Sequence, residues 1–134
     1  MKIVKLHDPN NSGNYIQFLF EKSIEQSKCS VTLSLQNENQ NYTSEKYLTS
    51  FEEIKKISDW YLNMNNFSGE YPDLILKDLP LSFYNFFFEK GEGVYYLKFT
   101  SVTGKIFQFH FWEQLGNSNT FIADEFQQSI EKCK

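Results

Sequence analysis

The sequence predicts an α+β fold, a curved antiparallel β-sheet packed against one or two α-helices, and three observations predict it. Residues Val94 to Glu113, VYYLKFTSVTGKIFQFHFWE, alternate apolar and polar side chains on both sides of a Gly-containing break, the pattern of an antiparallel hairpin with one buried face. Between about Phe51 and Met64, Ile54, Ile57, Tyr61 and Met64 recur at helical spacing and form one apolar stripe. The remaining runs are short enough for hairpins and show no regular βαβ alternation, which points to an antiparallel sheet in an α+β fold.

Lys2 to Leu6 reads as a strand closed by the turn formers Asp8-Pro9-Asn10-Asn11. Tyr15 to Phe20 and Val31 to Leu35 follow as strands; Ile16, Phe18 and Phe20 share one face of the first, and Val31, Leu33 and Leu35 one face of the second. After a polar turn at Asn37 to Asn41, Tyr42 to Leu48 returns as a further strand. Ser50 and Glu53 form an S-x-x-E capping box at the start of the helix, and Asn65-Asn66 with Ser68-Gly69 ends it. Leu74 to Leu79 resumes the sheet until Pro80, which cannot donate to a ladder. Phe83 to Phe88 reads either as a strand buried on both faces or as a helical turn, because so brief an apolar run has no diagnostic period. Gly91-Glu92-Gly93 is a turn into the hairpin. Thr120 to Ala123 reads as a last short strand feeding a C-terminal helix capped by Asp124, with Phe126, Ile130 and Cys133 on its apolar side.

The 134 residues are expected to form a single globular domain, 1–134, with 40% hydrophobic residues including 14 Phe supplying a core. A net charge of −4 with all 13 basic residues Lys argues against a nucleic-acid binder, since phosphate neutralisation needs clustered cations and Arg supplies the bidentate fork. No run approaches the ~20 apolar residues of a membrane span, and the first fifteen residues show no signal-peptide core. The expectation is a cytoplasmic protein with Cys29 and Cys133 as reduced thiols, a disulfide between them being open but unprompted by their spacing.

Catalytic chemistry is not indicated. His110 falls beside Tyr96 and Lys98 on the less buried hairpin face, with no partner that would make it a base, and His7-Asp8 is a turn pair. Lys28 beside Cys29 is too little to activate a thiol. Glu52-Glu53 and Asp124-Glu125 are accounted for by the dipole at the first turn of each helix. No set of residues has zinc or calcium spacing, so no catalytic residue, metal or cofactor is expected.

Two features suit recognition. Trp60, Tyr61, Tyr84, Tyr96 and Trp112 exceed what one side of a sheet buries, and exposed Tyr and Trp are common interface anchors. The acidic set Glu70, Asp73, Asp78, Glu89 and Glu92, interrupted by Lys77 and Lys90, suits a basic protein partner. The expected partner-binding residues are therefore Glu70, Asp73, Asp78, Glu89, Glu92, Tyr96 and Trp112. A second possibility is an apolar ligand pocket on the concave face of the sheet, lined by Phe83, Phe87, Tyr95 or Phe109. A third is self-association through Phe83 to Phe88; the sequence leaves the oligomeric state open.

The helix SFEEIKKISDWYL, the strand DLILKDL, the hairpin YYLKF…GKIFQFHFW and the closing TFIADEFQQSIEKC make the stretch from Tyr47 to Lys134 resemble small bacterial immunity proteins, including the wall-associated-protein immunity family. The resemblance implies a non-enzymatic protein of a contact-dependent or polymorphic toxin system that binds and neutralises the C-terminal domain of a cognate toxin.

Overall fold

Polar–apolar alternation along most of these runs becomes strand: among the described residues a computed structural model of the chain has nine strands and two α-helices in an α+β fold. The structure describes residues 1–8, 11–38, 40–66, 70–89 and 91–134, giving the backbone alone for Ser12 and for residues 85–89. Pro9-Asn10, Asn39, Ser68-Gly69 and Lys90, which the sequence assigns to turns, a helix stop and the acidic segment, lie outside the described residues.

The strands divide into two antiparallel sheets. In the first, β1 (Lys2–Asp8), β2 (Asn11–Lys22) and β3 (Lys28–Asn37) pair in sequence, and β3 also carries β4 (Gln40–Thr43) and β5 (Tyr47–Ser50). After α1 (Phe51–Asn63), the second sheet runs in the order β6 (Leu74–Ile75), β7 (Leu81–Glu89), β8 (Glu92–Thr100), β9 (Ile106–Gln114), and α2 (Ser118–Cys133) closes the chain. Gly91 (φ 78°) and Gly104 (φ 86°) occupy the left-handed region in the two hairpin turns of the second sheet, where a β-carbon would be strained.

One core joins these layers. The inner faces predicted for β2 and β3 are buried as expected, and Phe126 of α2 meets Phe18 and Phe20 edge-on at centroid separations of 5.1 and 6.1 Å. Trp60 and Tyr61 of α1 pack on Phe83 and Tyr95 of the second sheet. Tyr42 bridges the sheets by touching Phe99 and Phe107. The helices approach closely through small residues, and the Ser58 hydroxyl donates to the Ala123 carbonyl at 2.8 Å.

Five expectations are corrected. Tyr42 to Leu48 is interrupted, because the buried Ser44 hydroxyl takes the β3 amide of Leu33 at 2.9 Å and the Ser44 amide donates to the Leu33 carbonyl, splitting β4 from β5. The strand at Leu74 stops at Ile75, since the amides of Lys77 and Asp78 turn to the Glu53 carboxylate at 2.5 and 3.1 Å. That engagement also alters the capping box: Ser50 does accept the Glu53 amide, but the Ser50 amide is satisfied by Asp78 at 2.9 Å rather than by Glu53. Thr120 to Ala123 is helix, not strand; α2 starts at Ser118, so Asp124-Glu125 lies in its second turn and Asp124 caps nothing. There the buried Asn119, Ala123, Phe126, Ile130 and Cys133 follow a helical stripe that a four-residue window cannot reveal. Finally, Cys29 and Cys133 are joined in a disulfide with a Cα separation of 5.7 Å, where two reduced thiols were expected. The docking of α2 on β2 and β3 brings together two residues 104 positions apart, which their spacing could not suggest. The ambiguity over Phe83 to Phe88 resolves to strand β7, its register shifting between Asn85 and Phe87.

Candidate functional site

The two faces of the β6–β9 sheet differ in chemistry, as the parity of β9 requires. Phe107, Phe109 and Phe111 point into the core, whereas Gln108, His110 and Trp112 are exposed. The helix residues that meet this sheet, Trp60 and Tyr61, do so on its inner face, leaving the outer face with aromatic side chains. Register pairs Tyr84 with Tyr96 and Tyr96 with His110, forming a row of adjacent rings: Tyr84 stacks on Tyr96 at a centroid distance of 4.9 Å, and His110 lies tilted by 34° against Tyr96 at 5.6 Å. One rung away Val94 opposes Trp112, which is 40% exposed. Ser82, Lys98 and Gln108 form the rung on the other side, and the exposed Ile75 and Ile106 extend the patch.

The expected partner-binding residues separate on this frame. Tyr96 and Trp112 belong to the outer face, and Glu92, exposed and of the same parity as Tyr96, stands at its end opposite Gln114. Glu70 and Asp73 are exposed on the segment before edge strand β6. That segment is pinned because the Trp60 indole donates to the Pro72 carbonyl at 2.8 Å and the buried Tyr71 hydroxyl donates to the Trp60 carbonyl. Asp78 is half-buried and engaged at the start of α1. Glu89 ends β7 in register with Glu92; its side chain lies outside the described residues, as does that of Phe87. Of the residues expected to line a ligand pocket, Phe83, Tyr95 and Phe109 are buried in the core. An open cleft of about 510 Å³ lies elsewhere, between the 76–80 loop and the β8–β9 turn, lined among others by Tyr47, Leu76, Asp78, Ser101 and Val102.

Behind the aromatic row runs a buried hydrogen-bond relay. Tyr95 donates to a Glu113 carboxylate oxygen at 2.7 Å, and the Tyr61 and Tyr95 hydroxyls are 2.9 Å apart. Because Tyr95 spends its only proton on Glu113, Tyr61 is the donor in the second bond. Burial holds the Glu113 carboxyl above the usual carboxylate range, although hydrogen bonds from Tyr95 and Ser118 oppose the shift. Burial likewise raises both tyrosine hydroxyls. Continuing the β9 alternation by one step puts Glu113 on the side of Phe107, Phe109 and Phe111, so the signal for a buried acid was in the sequence. Its two tyrosine partners come from other elements and carried no such signal.

Among the described residues no group of three or more His, Cys, Asp or Glu is placed to hold a metal ion, and no helix is long and apolar enough to cross a membrane. Comparisons with protein-family models, with curated proteins and with solved structures gave no match.

Proposed function

We propose that this chain is a non-enzymatic bacterial immunity protein that binds the C-terminal domain of a cognate toxin through the outer face of the β6–β9 sheet. The observation that carries the reading is the open aromatic row, Tyr84, Tyr96 and His110 with Trp112 beside it, on a sheet whose other face puts Phe83, Tyr95, Leu97, Phe107, Phe109 and Phe111 into the core. Rings held by a sheet lose little freedom on binding, and Tyr and Trp are the residues that most often dominate interface energetics. Glu92 at the end of the row, Glu70 and Asp73 before the edge strand, and a net charge of −4 favour a basic toxin surface and a fast, salt-sensitive encounter.

The test is co-expression with the toxin domain encoded immediately upstream, scored by growth rescue and by co-purification. Rescue with a stable complex that Tyr96→Ala and Trp112→Ala weaken supports the proposal. Rescue unaffected by either substitution moves the docking surface elsewhere, and neither toxicity nor a complex ends the reading. The alternative, a small-ligand binder or enzyme, finds its support in the cleft of about 510 Å³, since Phe83, Tyr95 and Phe109 are buried in the core. A ligand-induced rise in Tm that a substitution at Ser101 abolishes would favour it.

A further inference from the structure

A carboxylate buried without a cation is an expensive arrangement, and Glu113 is one. It is 7% exposed, and among the described residues no Lys or His forms an ion pair with it. The groups facing it are neutral: Tyr95 from β8, Ser118 from the start of α2, and behind Tyr95 the hydroxyl of Tyr61 from α1. Three elements therefore converge on one carboxyl with only hydroxyl groups to stabilise its charge, and desolvation outweighs their hydrogen bonds.

Next to Glu113 in the chain is the turn from Gln114 to Ser118, in which Gln114, Gly116 and Asn117 are exposed. It is held by a few individually replaceable bonds. The Gln114 amide donates to the Ser118 hydroxyl at 2.8 Å, and the Leu115 amide to the Gly91 carbonyl at 2.8 Å. The Gly116 amide lies 2.8 Å from the side-chain oxygens of both Asn65 and Asn119. Gly116 itself has a φ of 89°, and the Asn117 side chain makes no cap bond to α2.

We propose that Glu113, Tyr95 and Tyr61 form a proton-operated latch: with its proton, the Glu113 carboxyl keeps the 114–118 turn and the start of α2 closed over the β8–β9 hairpin, and release of that proton to solvent opens the turn. The ionised carboxylate needs water, and the exposed turn follows it directly in the chain. The raised affinity of Glu113 for its proton places the transition above the ordinary carboxylate range. The latch is independent of what docks on the outer face, although Trp112, the neighbour of Glu113 in β9, would feel its state.

The experiment is an NMR titration of the intact protein that follows the Glu113 side-chain carboxyl carbon together with amide exchange in residues 114–118, compared at each pH with Glu113→Gln. The expected result is a carboxyl midpoint above the usual range and a matching step in exchange. Above the midpoint the turn amides of the native protein should exchange severalfold faster than those of the variant at the same pH. Tyr95→Phe removes a donor to the carboxylate and should move the midpoint higher still. A carboxyl midpoint in the ordinary range overturns the latch. So does a raised midpoint with no exchange step in the turn. Because the carboxyl titration and exchange are read on the native chain, the proposal stays decidable even if a variant fails to fold.

Discussion

Reducing the Cys29–Cys133 bond perturbs the fold at a point where its effect can be worked out beforehand. The bond ties the second residue of β3 to the last residue of α2 and closes a loop over a sequence separation of 104. In the chain-entropy account, a cross-link of that span lowers unfolded-state entropy enough to stabilise the fold by about 4.7 kcal/mol at 25 °C. For a domain of this size, that corresponds to a fall in Tm on the order of 15 °C on reduction. Packing partly supports α2 without the bond, through Phe126 against Phe18 and Phe20 and the 2.6 Å ion pair of Lys2 with Glu125. The reduced protein should therefore still fold. The assay is thermal and urea unfolding with and without reductant, alongside intact mass to count thiols and the Cys29→Ala/Cys133→Ala double variant. An oxidised sample that melts with the reduced one would show that the cross-link does not stabilise the fold, and a non-reduced mass that retains both thiols would show that it does not form. Both sulfurs are buried, so reductant should act through the unfolded state and lower the apparent Tm without attacking the folded protein at low temperature.

Four further outcomes are expected. Phe126→Ala should destabilise by roughly 3–5 kcal/mol in urea unfolding, because its ring fills the space between Phe18, Phe20 and Tyr61. Ser50→Ala should cost about 1 kcal/mol as a lost cap, and Glu53→Ala more, because it strands the amides of Lys77 and Asp78; equal effects would show that the 77–78 turn does not depend on Glu53. Glu113 binds its proton more tightly folded than unfolded, so between the two pKa values the folded state holds more protons and unfolding free energy falls as pH rises. Glu113→Gln should flatten that slope and raise Tm above the folded midpoint; a slope unchanged in the variant would assign it to another group. Trp112→Ala should leave Tm nearly unchanged and, if the proposed toxin partner docks on the outer face, weaken that binding by about 2 kcal/mol or more, measured by calorimetry.

Alternation and helical spacing are local properties of the chain, and they determined most of its elements. The β8–β9 hairpin, the inner faces of β2 and β3, and the apolar stripe of α1 could be read because each buried face repeats within a few residues. The same parity separated His110 and Trp112 from the core and would have placed Glu113 in it. What only tertiary structure decided depends on partners far along the chain. The division into two sheets, the pairing of Cys29 with Cys133, the diversion of Asp78 and Glu53 from surface charge and capping box to mutual backbone support, and the relay from Tyr61 through Tyr95 to Glu113 all join separate elements. The start of α2 belongs with these. Its first turn has no side-chain cap, and its helical state is supported by the contact of Asn119 with the Tyr61 carbonyl and of Ala123 with Ser58. Local pattern sets which face of an element turns inward, but the identity of what it meets there is fixed by packing, where hydrogen bonds and burial between distant segments outweigh local preference.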